Sequence, residues 1–94
     1  MRERDVERKL IKAVEWEGGL CLKFTPQGVA GYPDRLVLLP GGLFAFIEVK
    51  RPGGTMRPLQ VARHTKLRSL GLQVYLLNDE NQIEGIINNI KKAR

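Results

Sequence analysis

Two carboxylates and one amine occur in the chain at a spacing that suits metal-assisted chemistry. Asp34 is followed, after thirteen intervening residues, by Glu48, and Lys50 lies two positions beyond it. Glu48 and Lys50 share one face if the segment is a strand, because strand side chains alternate. Carboxylate oxygens suit Mg²⁺ or Mn²⁺, and Mg²⁺ commonly completes its coordination with water and substrate phosphate. The pattern therefore indicates hydrolysis of a phosphodiester.

A predicted hairpin brings the two carboxylates together. The turn Pro40-Gly41-Gly42 separates two apolar runs, which is typical of a hairpin with a three-residue loop. Its first pair is Leu39 with Leu43, and the same register sets Asp34 opposite Glu48, with Cβ atoms about 5 Å apart. Opposed like charges destabilise a sheet, so the pair needs a cation or a proton. A bound metal would supply the charge, and so would the nearby lysine.

The composition favours a small basic protein that binds a polyanion. A chain of 94 residues suits one domain, 1–94, and a domain this small makes a homodimer unsurprising. The formal net charge of +6 favours nucleic acid, although many basic proteins are merely soluble. Cys21 is the only cysteine, which excludes an internal disulfide and fits a reducing compartment. We find no apolar segment of a secretory signal peptide and no uncharged stretch long enough to span a bilayer, so we expect a cytoplasmic protein.

The periodicity predicts an α/β domain. A first amphipathic helix carries Glu7 within its apolar stripe. Strand, helix and strand in the second half predict a right-handed crossover with a parallel pair. Asp79 and Gln82 resemble a capping box that begins a closing helix. The expected elements are helix 3–17, strand 20–24, strands 34–39 and 43–50, helix 58–70, strand 73–77 and a C-terminal helix.

Each candidate residue also has an ordinary structural explanation. Asp34 could bond backbone amides at a turn, and Glu48 with Lys50 could be a solvated pair. Gln60 could reach back to its own helix start, and Glu7 could be a charge favoured by the helix dipole. For His64, the only histidine, we expect a surface or partly packed role, since no second histidine or cysteine could build a site with it.

Taken together, these residues resemble a known family. The ordered set Glu7, Gly31-Tyr32-Pro33-Asp34, Glu48-Val49-Lys50 and Gln60 is similar to the virus-type replication-repair nuclease (VRR-NUC) domain of the PD-(D/E)XK nuclease superfamily, in its stand-alone phage-type form. The Glu-x-Lys element alone is weak, but the ordered set is specific. The resemblance implies a restriction-endonuclease-like αβββαβ core with a mixed central sheet flanked by helices, Mg²⁺ or Mn²⁺ dependence, DNA as substrate, and similarity to dimeric Holliday-junction-resolving enzymes in bacterial or phage-infected cells.

The resulting hypothesis is a structure-selective endodeoxyribonuclease. Asp34, Glu48, the Val49 carbonyl and Glu7 through water would hold Mg²⁺, which polarises the scissile phosphate and lowers the pKa of a bound water. Lys50 would orient or deprotonate that water, and Gln60 would steady it or the lysine. The arginines expected to contact backbone phosphates are Arg35, Arg51 and Arg57. The alternatives are a non-catalytic DNA-binding or scaffold module on the same fold, and a single-strand or RNA-directed nuclease using the same site.

Overall fold

Residues 1–93 are described by a computed structural model, and their helices and strands follow the predicted order. A 3-10 turn, Glu80–Gln82, precedes the last helix. The helices are α1 (Glu3–Trp16), α2 (Pro58–Ser69) and α3 (Ile83–Lys92), and the strands are β1 (Leu20–Lys23), β2 (Arg35–Leu39), β3 (Leu43–Val49) and β4 (Val74–Leu77). The predicted α/β class, with an αβββαβ core and a C-terminal helix, is thereby confirmed.

The sheet is mixed and its order is β1-β2-β3-β4. The first three strands are antiparallel neighbours, while β3 and β4 are parallel, as the crossover through α2 requires. The predicted register of the hairpin is confirmed: Leu39 pairs with Leu43, and the ladder continues to Arg35 opposite Ile47. The paired residues end there, and continuing the same register by one step would set Asp34 opposite Glu48.

The core fills one face of the sheet. Alternating residues of β2 and β3 point to this face and are buried against α1 and α3. The core residues include Val6, Leu10 and Val14 of α1, Val37 and Leu39 of β2, Ala45, Ile47 and Val49 of β3, and Ile83, Ile86, Ile87 and Ile90 of α3. The residues that alternate with these strand positions, Asp34 and Glu48 among them, belong to the other face of the sheet. Helix α2 contacts β4.

The start of the closing helix differs from the expected capping box. Asp79 does accept a backbone hydrogen bond, but its donor is the Asn81 N–H at 2.8 Å, and the bond closes the 3-10 turn. The Gln82 side chain instead bonds Asn78 twice, at its backbone N–H and at its side chain. An aspartate side chain can accept a hydrogen bond from the backbone N–H two residues later as readily as from the one three residues later. The chain therefore forms a tight 3-10 turn before α3 begins.

In the part of the chain that the structure describes, the helices are too short and too polar for any of them to cross a membrane.

Candidate active site

Asp34 is positioned by the loop that leads into β2. Gly31 has φ of +88°, a conformation that favours glycine, and a Cβ there would lie 2.8 Å from Leu59 Cγ. This close approach holds the loop against α2. Pro33 is buried, and Asp34 Oδ1 accepts a hydrogen bond from the Val49 N–H at 3.1 Å. The Asp34 carboxylate is therefore fixed beside the residue between Glu48 and Lys50.

Glu48 is the centre of the cluster. Its side chain comes from the penultimate residue of β3 and is only 4% exposed. Its Oε2 accepts a hydrogen bond from Gln60 Nε2 at 3.1 Å and lies 3.5 Å from Lys50 Nζ. Because Lys50 is partly exposed, the amine reaches from the buried carboxylate towards solvent, so the solvated-pair explanation does not describe Glu48.

Gln60 reaches back to its own helix start, as its structural explanation predicts, and it also contacts Glu48, a partner that the sequence did not suggest. Its Oε1 accepts a hydrogen bond from the Arg57 backbone N–H at 2.9 Å, which caps α2. The amide nitrogen is then directed at Glu48. The capping bond thus fixes which end of the Gln60 amide faces the carboxylate, because Oε1 is already engaged by the backbone.

The electrostatics of the site oppose the ionisation of both carboxylates unless a proton or a cation compensates them. Burial first, and the charge of Asp34 second, raise the pKa of Glu48 to about 7, against which Lys50 acts. Burial also raises the pKa of Asp34, opposed by its bond from Val49. Both carboxylates would ionise more readily beside an additional positive charge. Their oxygens suit a hard divalent ion such as Mg²⁺.

The donor set fits Mg²⁺ better than a soft metal. Within residues 1–93 there is no group of three or more His, Cys, Asp and Glu side chains able to hold a metal ion. A site built from the carboxylates of Asp34 and Glu48, completed by a backbone carbonyl, water and substrate, is the kind that Mg²⁺ uses. Two carboxylates supply only part of such a site, so these residues fit Mg²⁺ only together with backbone, water and substrate ligands.

Glu7 is placed on the other side of the sheet end. Its Oε2 accepts a hydrogen bond from Arg35 Nε at 2.9 Å, and Arg35 Nη1 donates to the Cys21 carbonyl at 3.3 Å. Arg35 follows Asp34 directly and so points to the opposite face. It is only 7% exposed, a placement that argues against a contact with backbone phosphate. The predicted role of Glu7 as a water-mediated ligand stays a prediction.

Two of the predicted phosphate contacts are accessible. Arg51 and Arg57 are exposed, one directly after Lys50 and the other at the start of α2. Beside Arg57 and Gln60, a cavity of about 300 Å³ opens between Gly31 and the first turn of α2. The two arginines therefore flank the carboxylate cluster from the segments that follow β3.

His64 is not where the sequence led us to expect it. The ring is 0% exposed, and its Nε2 lies 3.9 Å from Glu48 Oε1. Neither ring nitrogen, nor Glu48 Oε1, has a hydrogen-bond partner among residues 1–93. The expectation of a surface or partly packed role is wrong. The signal that could have corrected it is the spacing, since His64 follows Gln60 by four residues and thus shares its helix face.

Comparison with known proteins identifies the family. No family model matches the chain. A relative named "Putative nuclease p44", from Acyrthosiphon pisum secondary endosymbiont phage 1, is 41% identical over 81 residues, which cover 86% of this chain and 87% of the relative. A solved structure described as a VRR_NUC domain superposes with a TM-score of 0.85 at 31% identity, covering 92% of this chain and 94% of the other. The chain is therefore a phage-type member of the VRR-NUC nuclease family.

Proposed function

We propose that this nuclease is a Mg²⁺- or Mn²⁺-dependent endodeoxyribonuclease that acts on branched DNA, in the manner of a Holliday-junction resolvase. The observation that carries the proposal is the cluster at the end of β3. Asp34 Oδ1 accepts from the Val49 N–H there at 3.1 Å, and Lys50 Nζ and Gln60 Nε2 lie 3.5 Å and 3.1 Å from one oxygen of Glu48. A DNA-binding module gains nothing from clustered carboxylates facing a polyanion, whereas a metal-dependent phosphodiesterase requires them.

Asp34 and Glu48 are the proposed metal ligands, together with the Val49 carbonyl and, through water, Glu7. When bound, the metal supplies Lewis-acid polarisation of the scissile phosphate and a more acidic water. Lys50 orients the attacking water and offsets negative charge as the water oxygen bonds to phosphorus and the leaving oxygen departs. Gln60 holds Glu48 Oε2 in place through the bond that its own cap directs.

The proposed DNA contacts are made by exposed basic residues around this cluster. Arg51 and Arg57 flank the site, and the whole chain carries a net charge of +6. Such contacts fix the position of the phosphate backbone without reading sequence. A nuclease that selects DNA by shape rather than by sequence is consistent with this kind of surface.

A homodimer would present two such sites across a two-fold axis, which suits paired incision of a junction. The sheet offers a surface for it. The face opposite the core carries apolar side chains that are left partly exposed, and three of them are more than one-third exposed: Leu20, Leu22 and Phe44. Phe44→Asp should therefore convert a dimer into a monomer in sedimentation equilibrium, while Phe44→Leu should leave the dimer intact. A monomeric wild-type protein would refute the dimer.

The cleavage test compares labelled substrates in Mg²⁺, in Mn²⁺ and in chelator. The panel is a four-way junction, a splayed duplex, a linear duplex, single-stranded DNA and RNA. We expect metal-dependent cleavage strongest on the junction, and loss of cleavage in Asp34→Asn and Lys50→Ala. Their matched controls are Glu84→Gln and Lys92→Ala, which change exposed residues of α3 on the opposite face. Circular dichroism and thermal unfolding establish that all four variants fold.

The same panel separates the alternatives. Equal cleavage in chelator would reject the metal mechanism, and cleavage confined to RNA or single strands would reject junction selectivity. A non-catalytic module would bind the junction without cleaving it, and calorimetry would then show little Mg²⁺ affinity. The acids, the lysine and the glutamine would in that case have a purely structural role.

A further inference from the structure

Glu48 is approached by two side chains from one face of α2. Gln60 and His64 are four residues apart on this helix, and residues so spaced lie one above the other. Gln60 Nε2 donates to Glu48 Oε2 at 3.1 Å, while His64 Nε2 lies 3.9 Å from Glu48 Oε1. Each oxygen of the carboxylate therefore has its own α2 side chain.

The second of these contacts is incomplete. Glu48 Oε1 and both ring nitrogens of His64 are buried, and none has a hydrogen-bond partner in the described part of the chain. Buried polar atoms without partners are costly and rare, and the three gather in one place. A shift of about 1 Å would bring Nε2 and Oε1 to hydrogen-bond distance. Closure would give a partner to Glu48 Oε1 and to one ring nitrogen.

We propose that His64 is a positioning residue for the metal ligand Glu48, donating its Nε2–H to Oε1 when the site is loaded with a divalent metal. The inference rests on the proposed metal site. With Oε1 held by His64, the carboxylate cannot rotate, and Oε2 stays directed towards Gln60 and Lys50. Hydrogen bonds of this kind to a ligating carboxylate orient it and raise metal affinity.

The alternative is that His64 only fills space in the interior. A fully buried ring contributes packing whatever its nitrogens do, so a loss of activity on truncation would not discriminate. At pH 8, well above the ordinary histidine pKa of about 6.5, the ring is neutral and donates through one nitrogen. Donation to Glu48 requires this proton on Nε2, so a ring protonated at Nδ1 would exclude the positioning role.

The first test is spectroscopic and uses the intact wild-type chain. His64 is the only histidine, so ¹⁵N-histidine labelling gives the signals of this ring alone. At pH 8 with saturating Mg²⁺ we expect the tautomer protonated at Nε2, with its resonance shifting as Mg²⁺ is added. A ring protonated at Nδ1 in the loaded protein would overturn the proposal, because its Nε2 would then have no proton to donate.

The second test compares two replacements of nearly equal size. His64→Gln retains an N–H donor near the position of Nε2, and His64→Met does not. Calorimetry with Mg²⁺ alone should show affinity within about threefold of wild type for the glutamine variant and a loss of about tenfold or more for the methionine variant. A space-filling role predicts the reverse order, since methionine suits an apolar cavity better than glutamine.

The outcomes separate this proposal from the proposed function. If wild type binds Mg²⁺ and His64→Met binds it equally well, or if both variants lose affinity equally, the positioning role is refuted while the metal site stands. If wild type itself binds no Mg²⁺, the proposed function fails and this inference fails with it. Thermal unfolding of both variants in chelator shows whether a loss of affinity accompanies a loss of folding.

Discussion

The buried carboxylate of Glu48 should make the metal-free protein less stable as pH rises. Its pKa is raised from 4.5 to about 7, by burial first and the Asp34 charge second. The unfolded chain therefore gives up its proton near pH 4.5, while the folded protein keeps it until about pH 7. Between these values the folded state binds more protons, so the free energy of unfolding falls as pH increases. The loss is complete about one pH unit above the folded pKa.

The magnitude follows from the same two values. One pKa unit corresponds to about 1.4 kcal/mol. Part of the stability loss has already occurred at pH 5, because the unfolded chain begins to lose its proton below that pH. Glu48 should therefore reduce the free energy of unfolding by roughly 2.5 kcal/mol between pH 5 and pH 8. For a domain this small, that change is a large part of the total stability. Glu48→Gln removes the titrating group and should remove this loss.

Urea denaturation in chelator at pH 5, 6, 7 and 8 measures the effect. The informative quantity is the difference between wild type and Glu48→Gln at each pH, because the titration of Asp34 and His64 contributes to both proteins and cancels to first order. Glu84→Gln, at an exposed position on α3, should follow wild type. If the wild-type and Glu48→Gln curves stayed parallel within about 0.5 kcal/mol across this range, the buried, proton-binding Glu48 described here would be refuted.

Further perturbations test other parts of the structure. Mg²⁺ affinity should fall about tenfold from pH 8 to pH 6, because Glu48 with a pKa of about 7 must lose its proton to bind; calorimetry that shows a constant affinity would contradict this. Arg35→Met should cost about 2 kcal/mol, because it leaves the partly buried Glu7 carboxylate unpaired, whereas an unfolding free energy equal to that of wild type would show that the pair contributes little. Gly31→Ala should destabilise by about 2 kcal/mol, since φ is +88° and the new Cβ meets Leu59 Cγ; Leu59→Ala should recover part of the loss in the double variant, and strict additivity would place the cost in the backbone alone. Arg51→Ala should lower the salt slope of junction binding by about one, and Lys92→Ala on the opposite face should not; equal slopes would remove Arg51 from the contact set.

The sequence predicted the fold well because its signals are local. Two apolar runs on either side of Pro40-Gly41-Gly42 determine the pairing of β2 with β3, and with it the position of Asp34 relative to Glu48. The helix periodicities and the order strand, helix, strand determine the rest. These features depend on neighbours in the chain, so they can be read without knowing the tertiary packing.

The contacts that the sequence did not reveal depend on packing between distant segments. The burial of Arg35 against Glu7 joins β2 to α1, and a charged residue on a predicted strand gave no indication of such a partner. The burial of His64 was not predicted, because the sequence contains no second histidine or cysteine that would indicate a site around it. Its helical spacing from Gln60 was visible in the sequence, but its distance from Glu48 becomes known only when α2 is placed on the sheet.

The glycines at the hairpin tip offer a site for engineering. Gly41 and Gly42 have positive φ, and a Cβ at either position would meet nothing within 4 Å. Gly42 and Glu48 are six positions apart, so the tip lies about 20 Å from Glu48, at the far end of β3. Because a side chain at such a φ is strained, the attachment would be a peptide inserted between the two glycines, and it would extend into solvent. Such a label could follow the arrival of a substrate without contacting the residues that bind it.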